Sequence, residues 1–174
     1  NQGTNQFTTY THGKYNTESL SHRSVLKIMK DRAGSIWVGT FAGGLNVYSP
    51  LSRNFINISE QLGNRPGLNN PVVSSILHNP DGALWIGTEG GGLNYLNRSD
   101  GKYHFYSLKK KGSKLSENII KSLAKDQKGN IWIGAFDGLF YFDVKTKTLT
   151  DYTSKTDEDF SGRSQIYTVL SDST

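Results

Sequence analysis

The chain has 174 residues, a hydrophobic content of 34% and a formal net charge of +5 at pH 7. It contains no cysteine, which excludes disulfide bonds and thiol catalysis and permits an oxidising compartment without indicating one. No stretch approaches the length of a membrane-spanning helix, and nine Tyr, eight Phe and three Trp supply much of the apolar area available for a core.

Four apolar stretches of strand length follow one another in the first third of the chain, at residues 25–29, 36–40, 45–48 and 55–58. They are rich in β-branched and aromatic residues and are separated by Gly, Asp and Asn, so each predicts a β-strand. The same series recurs along the chain, because Trp37, Trp85 and Trp132 stand 48 and 47 residues apart in the same Gly-x-x-Trp context. No helix longer than one turn is predicted.

The central strand of each repeat is apolar at three consecutive positions, as in Ile36-Trp37-Val38, which predicts that both of its faces are buried. Four strands per repeat, two-sided burial and a period near 48 predict small antiparallel sheets stacked face to face around an axis. The predicted fold class is therefore all-β, a β-propeller fragment of four-stranded antiparallel blades.

The repeats predict a partial β-propeller over residues 1–174, with three complete blades at residues 25–59, 73–107 and 120–153. Partial strands are predicted at each end. Residues 7–10 match the outer strand of a preceding blade, and residues 166–170 match the inner strand of a following blade. This pattern is typical of a piece of a longer array.

Eight lysines between residues 101 and 128 make the positive charge uneven. They could form a patch for an acidic partner, but residues 109–111 lack the interleaved aromatic residues of a nucleic-acid platform. A solvated loop is the better interpretation, and no contact with nucleic acid is predicted.

Signals of catalysis and of metal or cofactor binding are absent from the sequence. The four histidines have no metal-ligand spacing, and no Gly-x-Ser-x-Gly elbow is present. Asp31, Asp81 and Asp126 precede the tryptophan strands, where aspartate caps turns. Glu89 and Asp137 occupy equivalent turns and could form a carboxylate pair between blades. We predict no catalytic residue, no metal and no cofactor for this segment.

The repeats resemble a known family, the two-component regulator propeller repeat. Its first element is carried by Leu68-Asn-Asn-Pro-Val-Val73 and Leu115-Ser-Glu-Asn-Ile-Ile120, and GTEGGGLNYL at residues 87–96 is close to a consensus copy. The third copy departs from the pattern, with Ala135 in place of threonine and Asp137-Gly138 in place of Gly-Gly.

This resemblance implies part of a periplasmic sensor region of an inner-membrane hybrid two-component histidine kinase and response regulator. It implies an oligosaccharide ligand released from polysaccharides, a second propeller in the same chain, and a receptor homodimer. Two alternatives stay open: a propeller enzyme such as a polysaccharide lyase or glycosidase, and a scaffold for protein interaction or dimerisation.

Recognition residues in a propeller usually lie in the loops at the two faces of the disc. Saccharide recognition needs an aromatic face and a few fixed polar groups. The candidate ligand-binding residues with this chemistry are Tyr15, His22, Phe41, Arg65, Glu89, Phe136, Asp137 and Arg163. Trp37, Trp85 and Trp132 are instead predicted to be structural core.

Overall fold

The computed structural model of the protein describes residues 7–108, 118–153 and 165–172. Strands β1 (Val25–Lys30), β2 (Ile36–Thr40), β3 (Leu45–Tyr48) and β4 (Phe55–Ile58) form the first sheet. The second sheet contains β5 (Val73–His78), β6 (Leu84–Thr88), β7 (Gly92–Asn97) and β8 (Lys102–Tyr106). The third contains β9 (Ile120–Lys125), β10 (Ile131–Ala135), β11 (Gly138–Asp143) and β12 (Thr148–Asp151).

Each sheet is an antiparallel meander in chain order, and the inner strands β1, β5 and β9 pack beside one another. The predicted fold class is confirmed: the chain is an all-β propeller fragment made of three four-stranded blades. None of the described segments forms a helix long and apolar enough to cross a membrane.

The hairpin that leads into each tryptophan strand closes through the same turn. The glycine N–H donates to the carbonyl three residues earlier, from Gly34 to Asp31 at 3.1 Å, Gly82 to Asn79 at 3.0 Å and Gly129 to Asp126 at 3.0 Å. The φ angles of these glycines are 87°, 88° and 85°. This left-handed conformation strains other residues, which explains why glycine stands there in every repeat.

The central strand of each blade has two different faces. In β2 the indole of Trp37 points forward into a cluster with Leu84 and Ile86 of the second blade. In β6 the indole of Trp85 points forward into the corresponding cluster with the aliphatic residues of β10. Trp37 is 2% exposed and Trp85 is fully buried, so each indole is covered by the next blade.

Glycine also allows neighbouring blades to approach closely. A Cβ atom at Gly39 would lie 2.7 Å from both the Cγ1 and the carbonyl oxygen of Val73, the first residue of β5. A Cβ atom at Gly87 would lie 2.5 Å from Cγ2 of Ile120, the first residue of β9. The glycine that follows Trp-Val or Trp-Ile therefore leaves room for the first residue of the next inner strand.

The predicted strands at residues 7–10 and 166–170 are not formed. A strand requires a ladder of backbone hydrogen bonds to a neighbour, and neither segment has a partner strand among the described residues. Of these residues, Tyr10 packs against the first blade, where its ring lies 5.4 Å from that of Tyr48. Ile166 nevertheless takes the place of an inner-strand start, since its N–H donates to the Ala135 carbonyl at 2.9 Å.

Trp132 differs from its two counterparts because it is only half-buried. It packs on Tyr141 and Tyr152 of its own blade, with ring-centre distances of 4.8 and 5.2 Å. Within the described residues Trp132 is thus not fully buried, and its place in the core stays a prediction. The described residues that follow Asp151 contain no further sheet to cover its indole.

Candidate functional site

Two sets of loops meet at one edge of the three sheets, which we call the loop face. It consists of the turns at residues 41–44, 89–91 and 136–137 and the segments at residues 20–24, 69–72 and 118–119. Main-chain hydrogen bonds join the two sets, from Phe41 N–H to Ser24 O at 3.0 Å, Glu89 to Val72 at 2.9 Å and Phe136 to Ile119 at 3.0 Å. Five predicted ligand-binding residues lie on this face: His22, Phe41, Glu89, Phe136 and Asp137.

A buried polar network supports the loop face in the first blade. The Asn46 amide accepts a hydrogen bond from the Ser21 N–H at 2.8 Å and donates one to the Ser21 hydroxyl at 2.8 Å. The Thr40 hydroxyl donates to the Gly44 carbonyl at 2.9 Å. Thr40 and Asn46 are fully buried, so these bonds are made in a low dielectric and hold turn and segment rigidly.

The second blade repeats this network and the third does not. Asn94 accepts from the Asn69 N–H at 3.1 Å and donates to the Asn69 side-chain oxygen at 2.8 Å, and Thr88 donates to the Gly92 carbonyl at 3.0 Å. In the third blade Ala135 replaces the threonine and Phe140 replaces the asparagine, both fully buried. The loop face of the third blade is therefore supported by apolar packing at these two positions.

His22 and Phe41 form an aromatic pair on the first blade, with ring centres 6.1 Å apart. The Nδ1 atom of His22 accepts a hydrogen bond from the Ser24 N–H at 3.0 Å, which orients the imidazole. Phe41 is 53% exposed, so an aromatic surface is available to solvent beside an oriented polar ring.

Glu89 and Lys121 form an ion pair that joins the second and third blades. Oε1 of Glu89 lies 3.0 Å from Nζ of Lys121, and the two side chains are 27% and 21% exposed. The Lys121 ammonium also lies 5.9 Å from the ring centre of Tyr167. The sequence prediction included Glu89 and missed Lys121, whose position on the inner strand could have been read from the repeat alignment.

The remaining predicted residues do not join these pairs. Tyr15 is 90% exposed in a turn near Lys14, and Arg65 lies in the segment between β4 and β5. Within the described residues, no hydrogen bond, ion pair or ring contact connects either side chain to His22, Phe41, Glu89 or Lys121. Arg163 lies outside the described residues. Across residues 7–108, 118–153 and 165–172, no group of His, Asp or Glu is placed to hold a metal ion.

The opposite edge of the first blade carries a buried carboxylate, Asp31. Its Oδ2 atom accepts a hydrogen bond from Nε1 of Trp37 at 2.9 Å, and its Oδ1 accepts one from the Ser35 N–H at 2.9 Å. Arg98 of the second blade lies 3.6 Å from Oδ2 and 4.9 Å from the Trp37 ring centre. Burial opposes ionisation of Asp31, but these hydrogen bonds and the Arg98 charge outweigh it and lower the pKa of the carboxyl.

Residues 19–42, 67–90 and 114–137 each match the family described as two component regulator propeller. The chain therefore contains three two-component regulator propeller repeats. The three matched segments each run from the residue before the leucine of the first element to the turn after the tryptophan strand. Most of the loop face therefore lies inside the regulator propeller motif.

Solved structures with the same fold include extracellular domains from B. thetaiotaomicron. That of BT3049, assigned as a hybrid two component system, matches with a TM-score of 0.70 and 26% identity over 86% of this chain and 19% of that chain. That of BT4673, assigned as a one component system, matches with a TM-score of 0.69 and 22% identity over 88% of this chain and 21% of that chain. The regulator propeller chain thus spans about a fifth of the length of these two domains.

Virginiamycin B lyase from Staphylococcus aureus matches with a TM-score of 0.57 and 17% identity over 76% of this chain and 42% of that chain, which shows a shared fold alone. No curated protein matches the sequence at a significant level. The regulator propeller repeats and the likeness to BT3049 support a sensor role and an extracytoplasmic location.

Asp31→Asn is expected to make the regulator propeller less sensitive to acid. The folded-state pKa of Asp31 lies below its unfolded value, so the carboxylate stabilises the fold above about pH 4 and this contribution is lost as the pH falls through the folded pKa. In urea denaturation, the parent chain should lose more free energy of unfolding than the variant between about pH 7 and pH 3. At neutral pH the variant should be destabilised by about 1–3 kcal/mol, because the amide keeps one acceptor oxygen where the carboxylate has two, and one buried donor loses its partner.

Trp37→Phe is the control for this experiment, because it keeps the Asp31 carboxylate and removes its indole donor. Its dependence on pH should lie between those of the parent and Asp31→Asn. Equal losses of free energy of unfolding between about pH 7 and pH 3 in all three proteins would contradict the role of Asp31.

Proposed function

We propose that this segment belongs to the periplasmic sensor region of an inner-membrane hybrid two-component system. In this role it binds a glycan-derived oligosaccharide, or relays its recognition, to a histidine kinase. The proposal includes the rest of the propeller and a second propeller as intramolecular partners, and a receptor homodimer. It is supported above all by the three regulator propeller repeats, together with the 26% identity to an extracellular domain of a hybrid two component system.

The chemistry of the loop face supports a saccharide as the ligand. The exposed ring of Phe41 offers an apolar face for the C–H surface of a sugar, and the oriented imidazole of His22 stands beside it. Glu89 and Lys121 supply an acceptor and a donor for hydroxyl groups. The hydrogen-bonded turns beneath them hold these groups in place before a ligand arrives, which reduces the entropy lost on binding.

The enzyme alternative has less support. The similarity to virginiamycin B lyase concerns the fold, and Oε1 of Glu89, one half of the predicted carboxylate pair, is engaged by Lys121. An ion pair that joins two blades is better suited to binding and to transmitting a change between blades than to proton transfer.

Phe41→Ala and Lys121→Met are each expected to weaken oligosaccharide binding by the 174-residue chain at least tenfold. Tenfold corresponds to about 1.4 kcal/mol, the scale of one aromatic or charge-assisted contact. Titration calorimetry against plant and host oligosaccharides measures the affinities, and chromatography of the same samples detects cleavage.

Leu51→Ala is the matched control, because Leu51 is 97% exposed and lies in the turn before β4, away from the loop face. Its affinity should equal that of the parent. Saturable binding that neither Phe41→Ala nor Lys121→Met weakens would contradict the loop-face site. Cleaved products would instead favour the enzyme alternative. No binding of any of the plant and host oligosaccharides would favour the scaffold or dimerisation role.

A further inference from the structure

A groove of about 450 Å³ runs along the outer strand of the second blade, away from the loop face. One wall is β8 with the turn before it, from Asp100 to Phe105, and the other is formed by Gln61, Pro66 and Gly67. We call it the rim groove. Its volume lies within the range of about 300–1,000 Å³ that is usual for small-molecule sites.

The loop wall of the rim groove is pre-organised. The Gln61 N–H donates to the Leu68 carbonyl at 2.7 Å, and the Leu68 N–H donates to the Ser59 carbonyl at 3.0 Å. Leu68 is fully buried and anchors the loop in the core between the first two blades. A Cβ atom at Gly67 would lie 2.6 Å from the Ser59 carbonyl oxygen, so this tight path requires glycine. The groove therefore exists without a ligand.

The strand wall presents two aromatic rings, those of Tyr103 and Phe105. The rings are close to parallel, with an interplanar angle of 22° and centres 6.3 Å apart. Tyr103 packs against the core, whereas Phe105 is 42% exposed. The first and third blades carry Asn57 and Asp151 at the position of Phe105, so the repeat itself does not require an aromatic residue there.

The polar groups of the rim groove are balanced in charge. Nζ of Lys102 lies 3.4 Å from Oδ2 of Asp100, and the exposed pair neutralises itself. Gln61 adds an amide that can both donate and accept. A flat apolar surface flanked by donors and acceptors, with no excess charge, suits a neutral sugar ring, whose C–H face stacks while its hydroxyl groups form hydrogen bonds.

We propose that the rim groove is a second saccharide-binding site, specific for neutral sugars, with Phe105 as its stacking platform and Gln61, Asp100 and Lys102 as its hydrogen-bonding groups. The proposal takes its ligand class from the sensor function proposed above, and its place is independent of the loop face. A longer glycan could then be held at two points of the same propeller, which increases its apparent affinity.

Amide NMR of the isotope-labelled 174-residue chain tests the rim groove, with cellohexaose, xylohexaose and maltohexaose as neutral probes. At least one probe should shift the amide signals of Gly67, Tyr103 and Phe105 in a saturable way. Phe105→Asn installs the residue that the first blade carries, so the fold should persist while binding at these amides weakens at least tenfold. Gln61→Ala, in the opposite wall, should weaken it several-fold.

Ile56→Ala is the control, since Ile56 is an equally solvent-accessible residue on the outer strand of the first blade, 56% exposed. It should bind the probe like the parent. Shifts confined to the loop face, no shift with any of the three probes, or groove shifts that Phe105→Asn leaves unchanged would each overturn the proposal. Shifts confined to the groove would support it while contradicting the loop-face site.

Discussion

Trp85→Ala is expected to lower the free energy of unfolding by about 3–5 kcal/mol, the largest effect of any substitution proposed for this chain. The indole is fully buried between the second and third blades. Its ring centre lies 4.5 Å from that of Tyr95 and 5.5 Å from that of Phe142, and the Lys147 ammonium lies 5.6 Å from it. Alanine would leave a cavity at this junction, and neighbouring blades on both sides limit how far the site can collapse.

Trp132→Ala is the matched control, because the same residue of the repeat is only half-buried there. It should lower the free energy of unfolding by less than half as much as Trp85→Ala. Urea denaturation followed by far-ultraviolet circular dichroism is the appropriate measurement, since removing an indole changes the fluorescence itself. Equal destabilisation by the two substitutions would contradict the model in which each tryptophan is stabilised by the following blade.

Gly39→Ala is expected to destabilise the chain by about 1–3 kcal/mol through overpacking. This effect outweighs the higher strand propensity of alanine compared with glycine. The added methyl group would lie 2.7 Å from the Val73 carbonyl oxygen, and a backbone atom moves only if β5 moves with it. The first two blades would therefore be pushed apart at their inner strands.

Gly134→Ala tests whether the loss of stability depends on a clash with backbone atoms rather than with side-chain atoms. At this position the added methyl group would meet the Ile166 Cγ2 atom at 2.8 Å, the Val169 Cγ2 atom at 2.9 Å and the Ile166 carbonyl at 3.0 Å. Two of these contacts are ends of side chains in a segment that forms no strand, so it can yield. Gly134→Ala should lower the free energy of unfolding less than Gly39→Ala, as measured by thermal and urea denaturation. The opposite order would contradict the role of Gly39 in the close approach of β5.

The blade architecture could be predicted from the sequence because its determinants are local. The turns at Gly34, Gly82 and Gly129 need a left-handed residue, and only glycine adopts that conformation without strain. Burial of both faces of the central strand could be predicted from Ile36-Trp37-Val38, because an exposed face would require a polar residue. These signals recur at a fixed period, so each repeat reinforced the assignment of the others.

The predictions that the described residues leave open concern contacts across blades. Residues 7–10 and 166–170 have strand-like composition, but a strand also needs a partner, and composition does not supply one. Trp132 has the same neighbours in sequence as Trp85, and its burial depends on the blade beside it. Non-local contacts decide both cases.

The residues of the candidate sites could be predicted only in part, because some of them depend on contacts between blades. Phe41 and Glu89 could be selected because they lie in loops between strands and have the aromatic or polar chemistry that saccharide recognition needs. Lys121 was missed because its importance comes from Glu89, which lies one blade earlier. Phe105 was hidden inside a strand motif, and only comparison with Asn57 and Asp151 separates the surface aromatic residue from the core one.

The tryptophan of a central strand faces the next blade, whereas the aliphatic residues beside the following tryptophan face the previous blade, as Leu84 and Ile86 do towards Trp37, so the stack of blades has a polarity. At one end of the described array Ile36 and Val38 pack with Leu20 and Phe55, and at the other Trp132 packs on Tyr141 and Tyr152, so the two ends differ. Contact between such ends is heterologous and joins copies head to tail, into a ring or an open filament. In the sensor region proposed above, the remaining blades of the propeller would meet these two ends through different surfaces, so that blades can be added in one direction only.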